Sequence, residues 1–588
     1  MILAMASLRP RTLDATLVIL LAATGGGLAG WRWCEMMPHA VTAAAALTGL
    51  SGYGPDAIPL LAAKGSPSLV NTLAIGLLRA GLSMTEAARL LFALQGGLYC
   101  AAAALLIHAL SGRLTTALAA AGAFLVLLPL AGGIDYSDYM ILALGPPTHG
   151  ILALGLTLAA VATMAMGWIA VTVVVLVMTS LAHPLMGLYA SALFLAALWL
   201  ADGRVTAGGW LRIVGFTFLG NGVALTVILA LGGRDGSDGP DDLVARYYDL
   251  WDYHRNVPID NMLGLMCLQC AAMGGLAWFQ RNRQWRPSVA WMLVLAAASG
   301  LALYLGFHIG RDVLPSSLLL IMPNRFINIP LALSFPVLVG QTLRRGDGLG
   351  LGLAAGLVAA PLAAQFSGVA LIQPVAACVA VAILFATEER QGPGRTDSWL
   401  DRVDRRLGRC RPLGSLVLMI AAMGALWAQP GKPLAAEQPA ALGLARHVAE
   451  LGGPILAADT ETVKVLTDLV PQAPLTLNIA ELDFLPYIPA MLPRVATILG
   501  ELYAVDFTDP PATTLRRGAL ILEDAPLDLG TLTPTRAHWE RLSRAQWAEL
   551  ARRHGFVAVA APGRWRLDLT SPLNVRIGPE QSFRIWRL

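Results

Sequence analysis

The stretch 247–260, YYDLWDYHRNVPID, gathers Asp249, Asp252, His254 and Arg255 within seven residues of a chain otherwise rich in Leu, Ala, Gly and Val. A carboxylate can take a proton from a hydroxyl nucleophile, and a guanidinium can hold an anionic leaving group through its planar fork. An imidazole can hydrogen-bond a hydroxylated ring, and aromatic faces such as Trp251 and Tyr253 can stack on one. Side chains of the same kinds recur elsewhere. Glu35 follows the first apolar run, Asp56 lies in a Gly-Pro turn, His149 follows the diproline of GPPTHG, and His183 stands in AHPLMGLY. Arg311 and Arg325, the latter in MPNRFINIP, could meet an anion.

Each residue also has a plain structural explanation. Asp252 and Arg255, three apart on a helix, could form a solvated ion pair, and Glu35 could pair with Arg32. A single histidine is more often a satisfied hydrogen-bonding group, and an arginine at the end of an apolar helix can reach toward the interface. Cys267 and Cys270 form a CxxC inside an apolar run with no second pair, which reads as packing rather than metal or redox chemistry.

These side chains need a scaffold, and the composition defines its class. Of 588 residues 56% are hydrophobic and 14% charged, where a soluble chain carries about 25% charged residues. The chain therefore reads as a polytopic membrane protein. Its net charge of +4 comes from short Arg-rich segments, so nucleic acid is not an expected partner. The six cysteines are scattered and form no disulfide framework.

Apolar runs predict about thirteen spans, at 13–31, 85–111, 114–132, 149–166, 168–183, 185–201, 211–232, 260–279, 287–307, 325–342, 348–366, 368–386 and 413–429. With the N-terminus cytoplasmic, strict alternation puts Arg113, Arg204, Arg212, QRNRQWR at 280–286, Arg344, Arg345 and the arginine-rich 387–412 segment on that same side. The remaining polar stretches then face outward: 32–84, 133–149, the His183 corner, 233–260, 308–325 and everything after 430. Within 32–84, AVTAAAALTGL, DAIPLLAA and SLVNTLAIGLLRAGL predict helices lying along the interface. Residues 1–429 are expected to form the membrane domain and 430–588 a small soluble α/β domain. In the latter, GPILAAD, APLTLNI, GALILED, FVAVAAP and RWRLDL read as strands, and WERLSRAQWAELARRHG reads as a helix. No Gly-rich phosphate loop, HExxH or GxSxG stands there.

A first span, a long partly helical loop with acidic residues, about a dozen further spans and a terminal α/β segment resemble the GT-C superfamily of membrane glycosyltransferases. The resemblance implies an all-α polytopic membrane domain with an extracytoplasmic C-terminal domain, in the inner membrane of a bacterium. It further implies a sugar donor on a polyprenyl phosphate, a glycan, lipid or protein acceptor, and a first-loop acid as catalytic base or metal ligand. The candidates for that acid are Asp56 and Glu35, with Mg or Mn as the divalent ion. No adjacent acid pair or D-x-D stands in 32–84, which leaves the base divided between the two. Around the donor the expected binding residues are His149, His183, Asp252, His254, Arg255, Arg311 and Arg325. The chain is also similar to uncharacterised bacterial membrane proteins through GPPTHG, AHPLMGLY, DYHR, MPNRF and LDFLPY, which bring no substrate with them. Two alternatives stand beside this reading, a glycolipid transporter or flippase and an O-antigen polymerase or ligase.

Overall fold

The computed structural model describes residues 10–34, 36–127, 145–201, 207–231, 261–281, 285–310, 314, 318, 321–367, 369, 372–388, 411–428, 434–509, 533–570, 572–577 and 581–588. The first apolar run forms α1 (Pro10–Arg32). Three short helices follow: α2 (His39–Thr48), α3 (Ile58–Gly65) and α4 (Leu69–Arg79). Longer helices follow: α5 (Met84–Ser111), α6 (Leu114–Leu127), α7 (His149–Met166), α8 (Ile169–Ala182), α9 (Pro184–Ala201) and α10 (Ala207–Leu231). They continue with α11 (Asn261–Gln280), α12 (Pro287–Gly310), α13 (Asn328–Arg345), α14 (Gly348–Ser367), α15 (Ile372–Glu388) and α16 (Arg411–Ala428). A helix thus occupies each of the thirteen expected spans. Among the described residues, seven helices are long and apolar enough to cross a membrane.

Small residues decide how closely these helices approach. In a bilayer the hydrophobic effect does not drive helices together, so association relies on van der Waals contact and close backbone approach. Gly26 and Gly30, four apart on α1, face Gly96 and Phe92 of α5, and Gly97 faces Ala23 and Gly27. A methyl group at Gly97 would lie 2.9 Å from the Ala23 carbonyl oxygen, and one at Gly30 would collide with the Phe92 carbonyl. Polar contacts between helices add to this packing. Gln269 Nε2 donates to Ser334 Oγ at 2.5 Å, Trp285 Nε1 donates to Gln341 Oε1 at 2.9 Å, and Asn221 bonds both Ser180 and Ser191. Each such bond contributes about 0.6 kcal/mol.

The terminal segment contains α17 (Pro439–Leu451), β1 (Ile455–Ala457), α18 (Thr460–Leu469), α19 (Leu492–Tyr503), α20 (Thr533–Arg541), α21 (Arg544–His554), β2 (Ala558–Pro562), β3 (Leu573–Ile577) and β4 (Gln581–Arg587). Its sheet runs β1-β2-β4-β3, with β1 and β2 parallel and the other pairs antiparallel. GPILAAD and FVAVAAP supply β1 and β2 as expected. APLTLNI makes only an isolated bridge from Leu475 to Ile455, and GALILED lies outside the described residues. RWRLDL is not a strand. Trp565 is buried against Trp539, their rings 5.5 Å apart and edge-on, and side chains rather than a strand satisfy the neighbouring backbone. Glu540 accepts from the Arg566 N–H, and Asp568 accepts from that of Arg544. The expected single helix at 539–555 is two, because Ser543 caps α21 in a reciprocal box with Gln546.

The helices of the 32–84 segment bind this terminal fold. Ile58 and Ala62 of α3 share an apolar core with Leu477, Leu482, Leu485 and Trp539. The Met37 N–H donates to Asp468, and Arg89 at the start of α5 pairs with Glu437. On its other side α4 packs on α5, α7 and α8. The segment is therefore clamped between the long-helix bundle and the α/β fold.

Candidate functional site

Three sequence-distant motifs meet at one end of the bundle. Gly145-Pro146-Pro147-Thr148 leads into α7, where the Thr148 hydroxyl accepts from the Ile151 N–H and so fixes His149 as the first helical residue. Two bonds from α5 hold that entry in place, from Gln95 Nε2 to the Gly145 carbonyl at 2.8 Å and from the Tyr99 hydroxyl to the Ile151 carbonyl at 2.8 Å. His183 sits between α8 and α9 because Pro184, without an N–H, starts the new helix. Its backbone N–H donates to the Thr179 carbonyl at 2.8 Å, and its Nδ1 accepts from the Met186 N–H at 3.4 Å. The two imidazole rings lie 5.4 Å apart.

The third motif is MPNRF. Met322 is left-handed, with φ 49°, and it precedes a proline, which disfavours helical backbone. Such a conformation costs on the order of 1–3 kcal/mol and persists only where its surroundings enforce it. It turns the chain into the short 3-10 helix Pro323–Ile327, which carries Arg325. Phe326 stacks on Tyr189 of α9 with ring centres 4.1 Å apart, and the Tyr189 hydroxyl bonds Ser299 of α12. AHPLMGLY and MPNRF are thus packed against each other, which brings Arg325 within electrostatic reach of His183.

Burial first, and the Arg325 guanidinium second, push His183 down to about 4. The ring is therefore neutral near pH 7, as its acceptor role toward Met186 requires. The pH dependence follows from that sign. With a folded value below the ordinary 6.5, the His183 contribution to stability is fully present above about pH 6.5 and is lost as pH falls toward 4. Thermal denaturation in detergent should show a melting temperature that falls over that window. In His183→Gln, which keeps an acceptor but does not titrate, that part of the fall should be absent.

Of the other expected site residues, Asp56 is exposed in the turn before α3. That turn faces the terminal α/β fold, for the hydroxyl of nearby Tyr53 accepts from the Leu475 N–H at 3.1 Å. No contact between Asp56 and either histidine or Arg325 is found among the described residues. Glu35, Asp252, His254, Arg255 and Arg311 lie outside the described residues. Arg32, expected as a partner for Glu35, lies over the rings of Trp33 and Trp427. Among the described residues no three His, Cys, Asp or Glu side chains gather to hold a metal.

The residues that sequence reasoning missed are those that build the surroundings: Tyr99, Tyr189, Ser299 and Met322 around the histidines, and His39, Tyr53 and Glu481 at the loop contact. Their signal was faint. Tyr189 closes AHPLMGLY, Met322 opens MPNRF, and Glu481 directly precedes LDFLPY.

The site as it stands joins two imidazoles and a guanidinium at the ends of long apolar helices, against which the loop helix α4 also packs. Among solved structures the chain is similar to ArnT from Cupriavidus metallidurans bound to undecaprenyl phosphate, at 14% identity and a TM-score of 0.45 over 98% of each chain. It is also similar to the same protein in the apo state, at 15% identity and a TM-score of 0.43 over 97% of each chain. No family model matches the chain, and no curated protein matches it.

Proposed function

We propose that the chain is a GT-C-type membrane glycosyltransferase that moves a sugar from a polyprenyl-phosphate carrier to an acceptor on the outer face of a bacterial inner membrane. The observation that carries this reading is the meeting of His149, His183 and Arg325 at one end of the bundle. A guanidinium at the end of an apolar helix is costly unless it meets an anion, and a lipid phosphate is the anion available at that depth.

In the proposed reaction the acceptor hydroxyl gives its proton to Asp56, or to Glu35, and its oxygen bonds to the anomeric carbon of the donor. The bond between that carbon and the phosphate oxygen breaks, and the electron pair leaves with the phosphate. Arg325, with Arg255 or Arg311, stabilises the charge developing on the phosphate. His149, His183, Asp252 and His254 position the sugar. Asp56 would reach the donor by movement of the 49–57 turn, whose exposure leaves its carboxylate free to meet an acceptor from solvent.

The test is transfer by the purified protein from a panel of radiolabelled polyprenyl-phosphate sugars to a cell-envelope lipid extract, with and without Mg or Mn. Label should enter a new product. In Asp56→Asn the rate should fall by about 10² to 10⁴, the usual contribution of a general base. Wild-type rates in an Asp56→Asn, Glu35→Gln double variant would refute the base assignment. Saturable binding of the lipid phosphate without transfer from any donor would refute the enzyme and favour a flippase.

A further inference from the structure

The contact between the 32–84 segment and the terminal α/β fold forms a small, partly open polar pocket of about 20 Å³, room for a single water. His39 and Thr42 of α2, Tyr53, Thr467 of α18, Asn478 and Glu481 line it. Glu481 is buried in its wall, only 4% exposed. Its carboxyl accepts from the Asn478 N–H at 3.4 Å, a long bond that gives an ionised group little support. Around it lie the apolar contacts that join the two parts, Ile58 and Ala62 against Leu482 and Leu485.

We propose that the Glu481 carboxyl is a latch: while it holds its proton the first loop stays docked on the terminal fold, and loss of that proton releases α2, α3 and the turn bearing Asp56. An ionised carboxylate at this position would be desolvated with one weak backbone donor, a state that a buried charge tolerates only with a close partner. Opening the cavity to water removes the penalty. The Tyr53 hydroxyl, beside it and also buried, is itself pushed up by burial and then by Glu481, so it offers no compensating charge.

Among the described residues that line the pocket, the one further titratable side chain is His39. From α2 comes His39, stacked on Phe484 at 5.7 Å. From α18 the lining residue is the uncharged Thr467, and the adjacent Asp468 accepts from the Met37 N–H. Lys64 at the end of α3 is exposed, the 471–478 segment carries no charged residue, and the Asp483 side chain lies outside the described residues. Burial pushes Glu481 well above the ordinary 4.5, against the opposing Asn478 hydrogen bond. The docked state therefore binds more protons than the released one, and docking weakens as pH rises above about 4.5 until the raised value is passed. The latch does not depend on the transferase reading, since it concerns docking and not transfer.

Hydrogen exchange of the full-length protein in lipid nanodiscs, measured from pH 5 to pH 9 and corrected for intrinsic rates, tests it. Protection of residues 39–60 in the wild type should fall with pH by up to about tenfold per unit, the limit for one coupled proton. Protection of β2 and β4 should hold. Glu481→Gln, and Glu481→Leu as a second neutral replacement in case the first misfolds, should hold protection level across the range. A wild-type loop whose corrected protection does not change with pH overturns the latch. So does a pH dependence that survives in both variants, which would belong to His39 or to Asp459, a buried acid that burial pushes up to about 6.

Discussion

Leucine at Gly30 or Gly96 is expected to abolish accumulation of folded protein, and alanine at Gly30 to reduce it strongly. The first and fifth helices touch backbone to backbone there. A methyl group at Gly30 collides with the Phe92 carbonyl, and one at Gly96 with the Gly26 carbonyl. A flexible side chain could turn aside, but a carbonyl belongs to its own helix and moves only if that helix does. Overpacking a core costs about 1–3 kcal/mol where neighbours can adjust, and a fixed backbone leaves less room to do so. Most proteins are stable by only about 5–15 kcal/mol, so separating the two helices along this face consumes much of the total. The check is the monodisperse peak of a fluorescent fusion in size-exclusion chromatography. As a control, Gly76→Ala on α4, where an added methyl meets nothing within 4 Å, should run as wild type. Wild-type yield and melting temperature for Gly30→Leu would refute the close packing.

The second large effect is on ligand binding. Arg325→Gln should weaken binding of polyprenyl phosphate by about 10² or more, since a charge-assisted hydrogen bond to an ionised group contributes about 1.5–3 kcal/mol and the lost charge adds to it. Arg325→Lys should recover only part of this, because an ammonium cannot offer the planar two-donor fork. Isothermal titration or native mass spectrometry with undecaprenyl phosphate reads the affinity. The His183 titration, followed by NMR of labelled histidine, supplies a readout that loss of fold would not mimic. Removing Arg325 takes away the cation that helps hold His183 low, so its value should rise toward 6.5 while burial still keeps it below. Unchanged affinity in Arg325→Gln would separate this arginine from the phosphate.

The sequence by itself determined the helices. A run of about twenty apolar residues can satisfy its backbone in lipid only as a helix, so each expected span coincides with one, and the apolar periodicity of 32–84 likewise announced α2, α3 and α4. The His183-Pro184 corner was legible for the same reason, since a proline acts on its immediate neighbours, whereas the cap at Ser543 was missed and the run 539–555 read as one helix is two. RWRLDL failed because Trp565 is claimed by Trp539, a contact that local alternation does not encode.

What only the tertiary structure decided is which polar groups meet. His149 and His183 were legible as candidates, but their 5.4 Å separation depends on α7 and α8 folding back on each other. Arg325 reaches His183 through the stacking of Phe326 on Tyr189, 137 residues apart in the chain (326 less 189). The signal at Glu481 was faint, because an acid beside apolar residues looks alike whether it ends in solvent or in the wall of a pocket. Propensity and hydropathy act between near neighbours along the chain. The depth, partners and charge of a side chain are fixed by residues that folding brings to it from far away.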